Sequence, residues 1–287
     1  MHEEGGGEIY AMEITMDEAL NQDLEGVLGA MNKEIDFIRE RRTAPADVGK
    51  LTANELKMAM ECRIIITRKD PTPQEINEYE EKHGTKLDMM QAREKLGRWK
   101  ARLVMKDLKC KRKADPATTY AEVPALYAMR LLLSTIDLRK DILSIDDYKQ
   151  AYIQADSYDA GKRVLIKYPD PAVIIEAFKK NPSGFKLQHV PMIFEWLYGP
   201  LYGGQTSGQH WSKTHARRHV DMGFKEVNNV GSMFVHKERA VTVSTFVDDP
   251  LTKAGNEADH EWYDQELKKH FEVRGRERLT PTHPLSY

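Results

Sequence analysis

Residues 144-SIDDYKQAYIQAD-156 and 245-TFVDDP-250 each place an acidic pair directly after an apolar, β-branched run. Asp141-Ile142-Leu143-Ser144-Ile145 has the length of a strand and leads into Asp146-Asp147. Ser232 to His236 and Val241 to Val247 flank the turn Lys237-Glu238-Arg239-Ala240 as a hairpin, and its second strand runs into Asp248-Asp249. Acidic pairs at the ends of two strands can meet if those strands become neighbours in a sheet. Carboxylates so gathered suit a pair of Mg²⁺ ions, which prefer oxygen ligands and keep coordination positions for substrate phosphates. Taken singly, each pair has a plainer reading: Asp146-Asp147 as a helix cap, and Asp248-Asp249-Pro250 as ordinary turn chemistry.

Working outward, Gly97 to Lys106 alternates Trp99, Ala101, Leu103 and Met105 against Lys100, Arg102, Val104 and Lys106, which predicts a strand with one basic face. The charge continues through KDLKCKRK. Pro124 to Leu138 carries Leu126, Met129, Arg130, Leu133 and Ile136 at helical spacing, which predicts a helix facing the core. Upstream, Arg63 to Thr67 reads as a short strand ended by RKDPTP, and residues 72–96 are polar and helix-favouring. Downstream, Arg163 to Tyr168 reads as a strand ended by PDP. Gly203 to Met222 is helical after a glycine break, and Asn256 to Phe271 is a polar helix with Trp262, Leu267 and Phe271 as its apolar positions. Met16 to Arg41 is amphipathic, and residues 1–50 are taken as a flank.

The chain has 287 residues, 40% hydrophobic and 31% charged, enough for one large core or two modest ones. Its net charge of -2 gives no global attraction to a polyanion, so nucleic-acid contact would depend on local patches. Cys62 and Cys110 have no metal-ligand spacing and suggest neither a disulfide framework nor a zinc site, which fits a reducing compartment. The acidic, glycine-rich start and the short apolar stretches predict no secretion or membrane signal; the expected location is intracellular, cytoplasmic or nuclear.

Four segments in order resemble the reverse transcriptase of copia-type LTR retrotransposons over roughly Gly97 to Val273. RWKARLVMK (98–106) is similar to the family's fingers strand, and SIDDYKQAYIQAD (144–156) to its first palm motif. LYGGQTSGQHW (201–211) is similar to its second motif, and TFVDDP to its aromatic-x-Asp-Asp hairpin. ELKKHFEVRG (266–275) resembles the segment that closes the palm. The implied fold is α+β, a right-hand polymerase with fingers and palm, an antiparallel sheet backed by helices, and the thumb largely missing. Residues 1–50 would then be a flexible or helical flank, 51–96 an extension leading into the fingers, 97–275 the fingers and palm, and 276–287 a tail.

What the resemblance implies is RNA-directed DNA synthesis, adding a dNTP to a primer 3′-hydroxyl with two Mg²⁺ ions. Asp147 and Asp248 would bind metal, and Asp249 would help shape the site. Lys100 and Arg102 would approach the triphosphate, Tyr152 would act as sugar gate, and Gln205 and Thr206 would lie at the nucleotide. Lys106, Lys109, Lys111 and Arg112 would face an RNA or DNA template-primer. The sequence departs from the family's pattern in the second motif, where Thr206 stands in the glutamine's place and Gly208-Gln209 replace a Pro-Arg pair. Pro250 replaces an apolar residue and, lacking an N–H, is expected to interrupt the returning strand. The rival reading is a catalytically silent remnant with weak nucleic-acid binding; a two-metal nuclease ranks below both.

Overall fold

The basic-faced alternation at Gly97 to Lys106 becomes strand β4 (Arg98–Met105) in the computed structural model, which describes residues 13–107, 119, 121, 123–137 and 139–280. Contacts group the chain into two units, Met1–Cys110 with Gly161–Tyr198, and Lys111–Ala160 with Gly199–Tyr287. Elements are numbered along the chain.

In the first unit β4 pairs antiparallel with β3 (Met60–Lys69), setting Ala101 opposite Ile66 and Leu103 opposite Ile64. These apolar positions share the face that packs on α2 (Leu24–Arg41), whose Val27, Met31, Ile35 and Ile38 are buried at helical spacing. Asp23 caps α2 by accepting from Gly26 N–H, and Glu34 Oε1 accepts from Leu103 N–H at 3.3 Å. Helix α1 (Met16–Gln22) and helix α8 (Pro171–Lys180) complete the core through Leu20, Ile174 and Phe178. The stretch read as a flank therefore supplies much of this unit's interior. Next to β3 lie β6 (Val164–Pro169, parallel), β7 (Met192–Leu197) and the edge strand β2 (Thr43–Pro45), while β1 (Glu13–Ile14) takes the other edge. Between β3 and β4 are helices α4 (Pro73–His83) and α5 (Met89–Leu96), each opened by a capping box, Thr72 with Glu75 and Asp88 with Gln91.

The second unit is an antiparallel sheet ordered β12-β5-β11-β10-β9-β8. Its strands are β5 (Ile142–Tyr148), β8 (Phe224–Glu226), β9 (Met233–His236), β10 (Val241–Phe246), β11 (Asp249–Ala254) and β12 (Val273–Leu279). Helices α9 (Ser207–Asp221) and α10 (Glu257–His270) contribute to the core made by Tyr148, Trp211, Phe224, Phe234, Val243, Tyr263, Leu267 and Phe271. The chain is thus a mixed α+β fold.

Three expectations are corrected. Helix α6 (Leu126–Ser134) forms, but it buries Ala128 and Leu132, while Leu126 and Leu133 are 65% and 45% exposed. Leu131, Leu132 and Leu133 span about 200° of the helix, so only one of them can face the sheet. Pro250 interrupts only one side of its strand: toward β10 it pairs with Thr245, whose own N–H turns the other way to Ser232 O, while the pairing of β11 with β5 begins one residue later, at Leu251. No N–H is needed from residue 250 toward β10 at that place in the ladder. Finally, VRGRERL forms the edge strand β12 on β5, although its charge gave no strand signal; an inward-pointing Arg276 is a device that edge strands tolerate.

Beneath the sheet, α9 buries His215 and His219. His219 Nε2 lies 3.1 Å from Tyr263 Oη, and burial holds its pKa down at about 4. The folded value is below the unfolded one, so this stability is complete above about pH 6.5 and is lost as pH falls toward 4. That difference corresponds to about 3 kcal/mol from His219, and burial depresses His215 as well. The thermal midpoint is expected to drop steeply between pH 6.5 and 4, and less steeply in His219→Gln; equal slopes in the two proteins would refute the assignment.

Candidate functional site

Strand alternation sends the two carboxylates of β5 in opposite directions. Asp146 is 1% exposed and accepts a bidentate pair from Arg276 on β12, at 2.8 and 2.9 Å. Asp147 points the other way, half-exposed, with Arg274 Nη1 3.5 Å from its Oδ2. The strand next to β5 is β11, paired so that Leu251 faces Ile145. Tyr148 N–H donates to Asp248 O at 3.0 Å, so the same register continued to the hairpin tip sets Asp249 opposite Asp147.

The β10–β11 turn has only Val247 and Asp248 between the paired Phe246 and Asp249. Asp248 therefore sits at the tip and Asp249 on the first position of the return. Asp249 is exposed as a residue, but its carboxyl is crowded: partial burial, then the charges of Asp248 and Asp147, push its pKa up to about 6. Asp147 and Asp248 thus lie near enough to act on the Asp249 carboxyl at one end of the sheet. A raised pKa means that the fold is favoured when Asp249 is protonated and loses that advantage as pH rises through about 6. By ¹³C NMR the Asp249 carboxyl should titrate near 6, and millimolar Mg²⁺ should move the midpoint down by favouring the charged form. A metal-free midpoint in the ordinary aspartate range would contradict the crowding.

Among the described residues no group of three or more His, Cys, Asp or Glu side chains is drawn together closely enough to enclose a metal ion. The donor set nevertheless fits Mg²⁺, which is commonly held by one or two carboxylates with water and substrate phosphates completing the shell.

Tyr152 lies on the short helix α7 (Ala151–Gln154), half-buried, its ring edge-on to Tyr202 at 5.4 Å. Its hydroxyl pKa is raised by burial and then by the charge of Asp248, so it lies within electrostatic reach of the tip. Gly203 takes φ +76° in the turn before α9, where a glycine is favoured. Gln205 occupies that turn, and Thr206 stands at the N-cap position of α9 without a side-chain capping bond. Ser207 Oγ, buried, donates to Leu201 O at 2.6 Å and accepts from Leu201 N–H, closing the loop. A Cβ at Gly208 would come within 2.9 Å of Ala121 Cβ, which gives a physical reason for glycine there.

In the first unit, Lys100 and Arg102 lie on the β4 face away from α2, opposite Thr67 and Ile65 of β3. Lys106 follows β4 and is paired with Glu61. Lys109, Lys111 and Arg112 lie outside the described residues. Strand register adds cations that the sequence reading missed: Arg63 and Lys69 of β3 and Arg98 of β4 share the face of Lys100 and Arg102. Period-2 alternation in β3 was the available signal, but the apolar run Ile64-Ile65-Ile66 obscured it.

The sequence profile of the reverse transcriptases (RNA-dependent DNA polymerases) matches residues 83–279, which include both acidic pairs and strand β4. The chain belongs to this family. Within the reverse transcriptase segment, the matched residues run from the end of α4 to the end of β12. Among solved structures the chain is similar to the telomerase of Candida albicans in complex with a TWJ fragment of telomeric RNA, at 8% identity and a TM-score of 0.38. That alignment covers 88% of this chain and 45% of the telomerase chain, so this chain spans about half its length. No curated protein matches the sequence. Among the described residues no helix is long and apolar enough to cross a membrane.

Proposed function

We propose that this reverse transcriptase segment is the fingers and palm of a copia-type retrotransposon polymerase, transferring a deoxynucleotide from dNTP to a primer 3′-hydroxyl on an RNA or DNA template. The observation that carries this reading is the placement of Asp147, Asp248 and Asp249 at one end of the adjacent strands β5 and β11, within the family-matched segment. Asp147 and Asp248 are the residues that would hold Mg²⁺, with Asp249 beside them. When bound, Mg²⁺ supplies positive charge that acidifies the attacking hydroxyl and steadies the leaving oxygen.

The chain's own groups do the rest. Tyr152 would act as the sugar gate, its ring excluding a ribose 2′-hydroxyl and so favouring deoxynucleotides. Gln205 and Thr206 border the nucleotide. Lys100 and Arg102 meet the triphosphate, Arg102 with a planar fork suited to phosphate oxygens. Lys106, Lys109, Lys111 and Arg112 contact the template-primer backbone, a salt-dependent interaction.

A silent remnant is the second reading. It is favoured by Thr206 in the glutamine's place and by the Arg274 guanidinium 3.5 Å from Asp147. Primer extension on a poly(A) RNA template with Mg²⁺ and dTTP separates the readings. Growth of the primer that requires dTTP supports the polymerase; salt-sensitive retention without growth supports the remnant; shortening without dTTP points to a nuclease.

A further inference from the structure

The hairpin that carries Asp248 is built on an unfavourable backbone. Val247 has φ +55°, a left-handed conformation that is a marked outlier for a β-branched residue. Asp248 keeps a negative φ, so the turn has the sign pattern of type II′, whose first central position normally takes glycine. Valine there is strained. Rotating the peptide between Val247 and Asp248 leaves the φ of Val247 positive and makes that of Asp248 positive too, giving a type I′ turn that re-aims residue 248.

Something must hold that peptide, and among the described residues a buried donor points at the Val247 carbonyl. Trp211 Nε1–H donates to Val247 O at 2.6 Å. Trp211 is 3% exposed and its ring is fixed on three sides, edge-on to Tyr148 at 5.3 Å, edge-on to Phe271 at 5.8 Å and tilted on His215 at 5.5 Å. One turn further along α9, His215 Nε2 lies 3.0 Å from Tyr148 Oη and 3.3 Å from Thr245 Oγ1, linking β5 to β10. Tyr148 directly follows Asp147. One face of α9 therefore grips both segments that carry carboxylates.

We infer that Trp211 is a positioning residue, its indole N–H pinning the strained Val247 peptide so that the Asp248 carboxylate is presented beside Asp147. The inference rests on the polymerase reading for its effect on turnover, but its effect on cation binding is independent of turnover. Trp211→Phe keeps an aromatic ring and removes the N–H. Val247→Gly supplies the residue that the first central position of a type II′ turn prefers and so removes the need for the pin.

Mn²⁺ affinity, read by water-proton relaxation, should fall about tenfold in Trp211→Phe and return to within about threefold of the parent in the double variant with Val247→Gly. In extension assays kcat should follow the same order, with the KM for dTTP nearly unchanged. A ring that served only as core packing would instead lower the unfolding temperature of Trp211→Phe in a way Val247→Gly does not restore, and Mn²⁺ affinity would not follow the glycine. That result, or unchanged Mn²⁺ affinity in Trp211→Phe, overturns the inference. If Trp211→Phe fails to fold, the parent protein still decides: a pinned Trp211 indole N–H exchanges slowly with D₂O, and Val247→Gly in the parent keeps that protection; rapid exchange in the parent overturns the inference. If the parent shows no primer extension, the polymerase reading falls while the Mn²⁺ and exchange results continue to judge Trp211.

Discussion

Asp248→Asn is expected to lower primer extension on the order of a thousandfold, about 4 kcal/mol of transition-state stabilisation, while leaving the protein folded. The substitution removes one charge at nearly constant size. Asp248 stands at a two-residue turn, and its carboxylate makes no side-chain hydrogen bond among the described residues. The bond that anchors the tip, Tyr148 N–H to Asp248 O, uses the backbone and survives. Removing the Asp248 charge also relieves Asp249, so the unfolding temperature should hold or rise and the Asp249 titration should move down from about 6. Extension within a few fold of the parent, in a folded variant, would show that Asp248 has no part in the reaction. Loss of extension with a matching loss of stability would leave the fold, rather than the charge, as its cause.

Arg276→Leu is expected to destabilise the chain by about 3–5 kcal/mol at neutral pH, the size typical of breaking a buried ion pair from one side. Asp146 is shut off from solvent, and burial raises its carboxyl pKa even with Arg276 in place. Arg276 supplies both hydrogen bonds to that carboxylate and a third to His260 O at 3.3 Å, and its guanidinium lies 5.2 Å from the centre of the Tyr263 ring. Leucine would leave a desolvated charge offset only by the weaker field of Lys268. Because the folded pKa of Asp146 is raised, the deficit should shrink as pH is lowered and the group takes up a proton. Denaturant unfolding followed by tryptophan fluorescence reads the effect. The double replacement Asp146→Leu with Arg276→Leu should recover most of it, since apolar groups of similar volume remove the uncompensated charge. A loss below about 1 kcal/mol in Arg276→Leu would mean that water reaches Asp146.

The two acidic pairs show how much of the site could be read from the chain. Both pairs follow β-branched runs, and that local pattern was enough to place them at strand ends. Which member of the first pair faces the site depended on the resemblance, which selected Asp147. In the structure Asp146 is buried on Arg276 while Asp147 lies opposite Asp249. The partner Arg276 lay in a charged segment with no strand signal, so the need for an inward arginine at that edge could not be seen. The helix at Leu126–Ser134 was legible as a helix and misread in its facing, because three successive leucines fit several apolar stripes and only contact with the sheet chooses among them.

By itself, the sequence determined the local elements and the order of the motifs: alternation made β4, the turn Lys237–Ala240 made a hairpin, and the spacing of apolar residues made α9 and α10. Those signals act over a few residues, where backbone sterics and side-chain periodicity suffice. Only the tertiary structure decided that β5 and β11 are neighbours, that β12 closes the edge, and that residues 16–41 belong to a core. It also decided the environments that set the chemistry: the crowding of Asp249, the neutral buried His219 and the indole of Trp211 on a strained carbonyl. Desolvation and charge coupling arise between residues far apart in sequence, and no local pattern of residues encodes them.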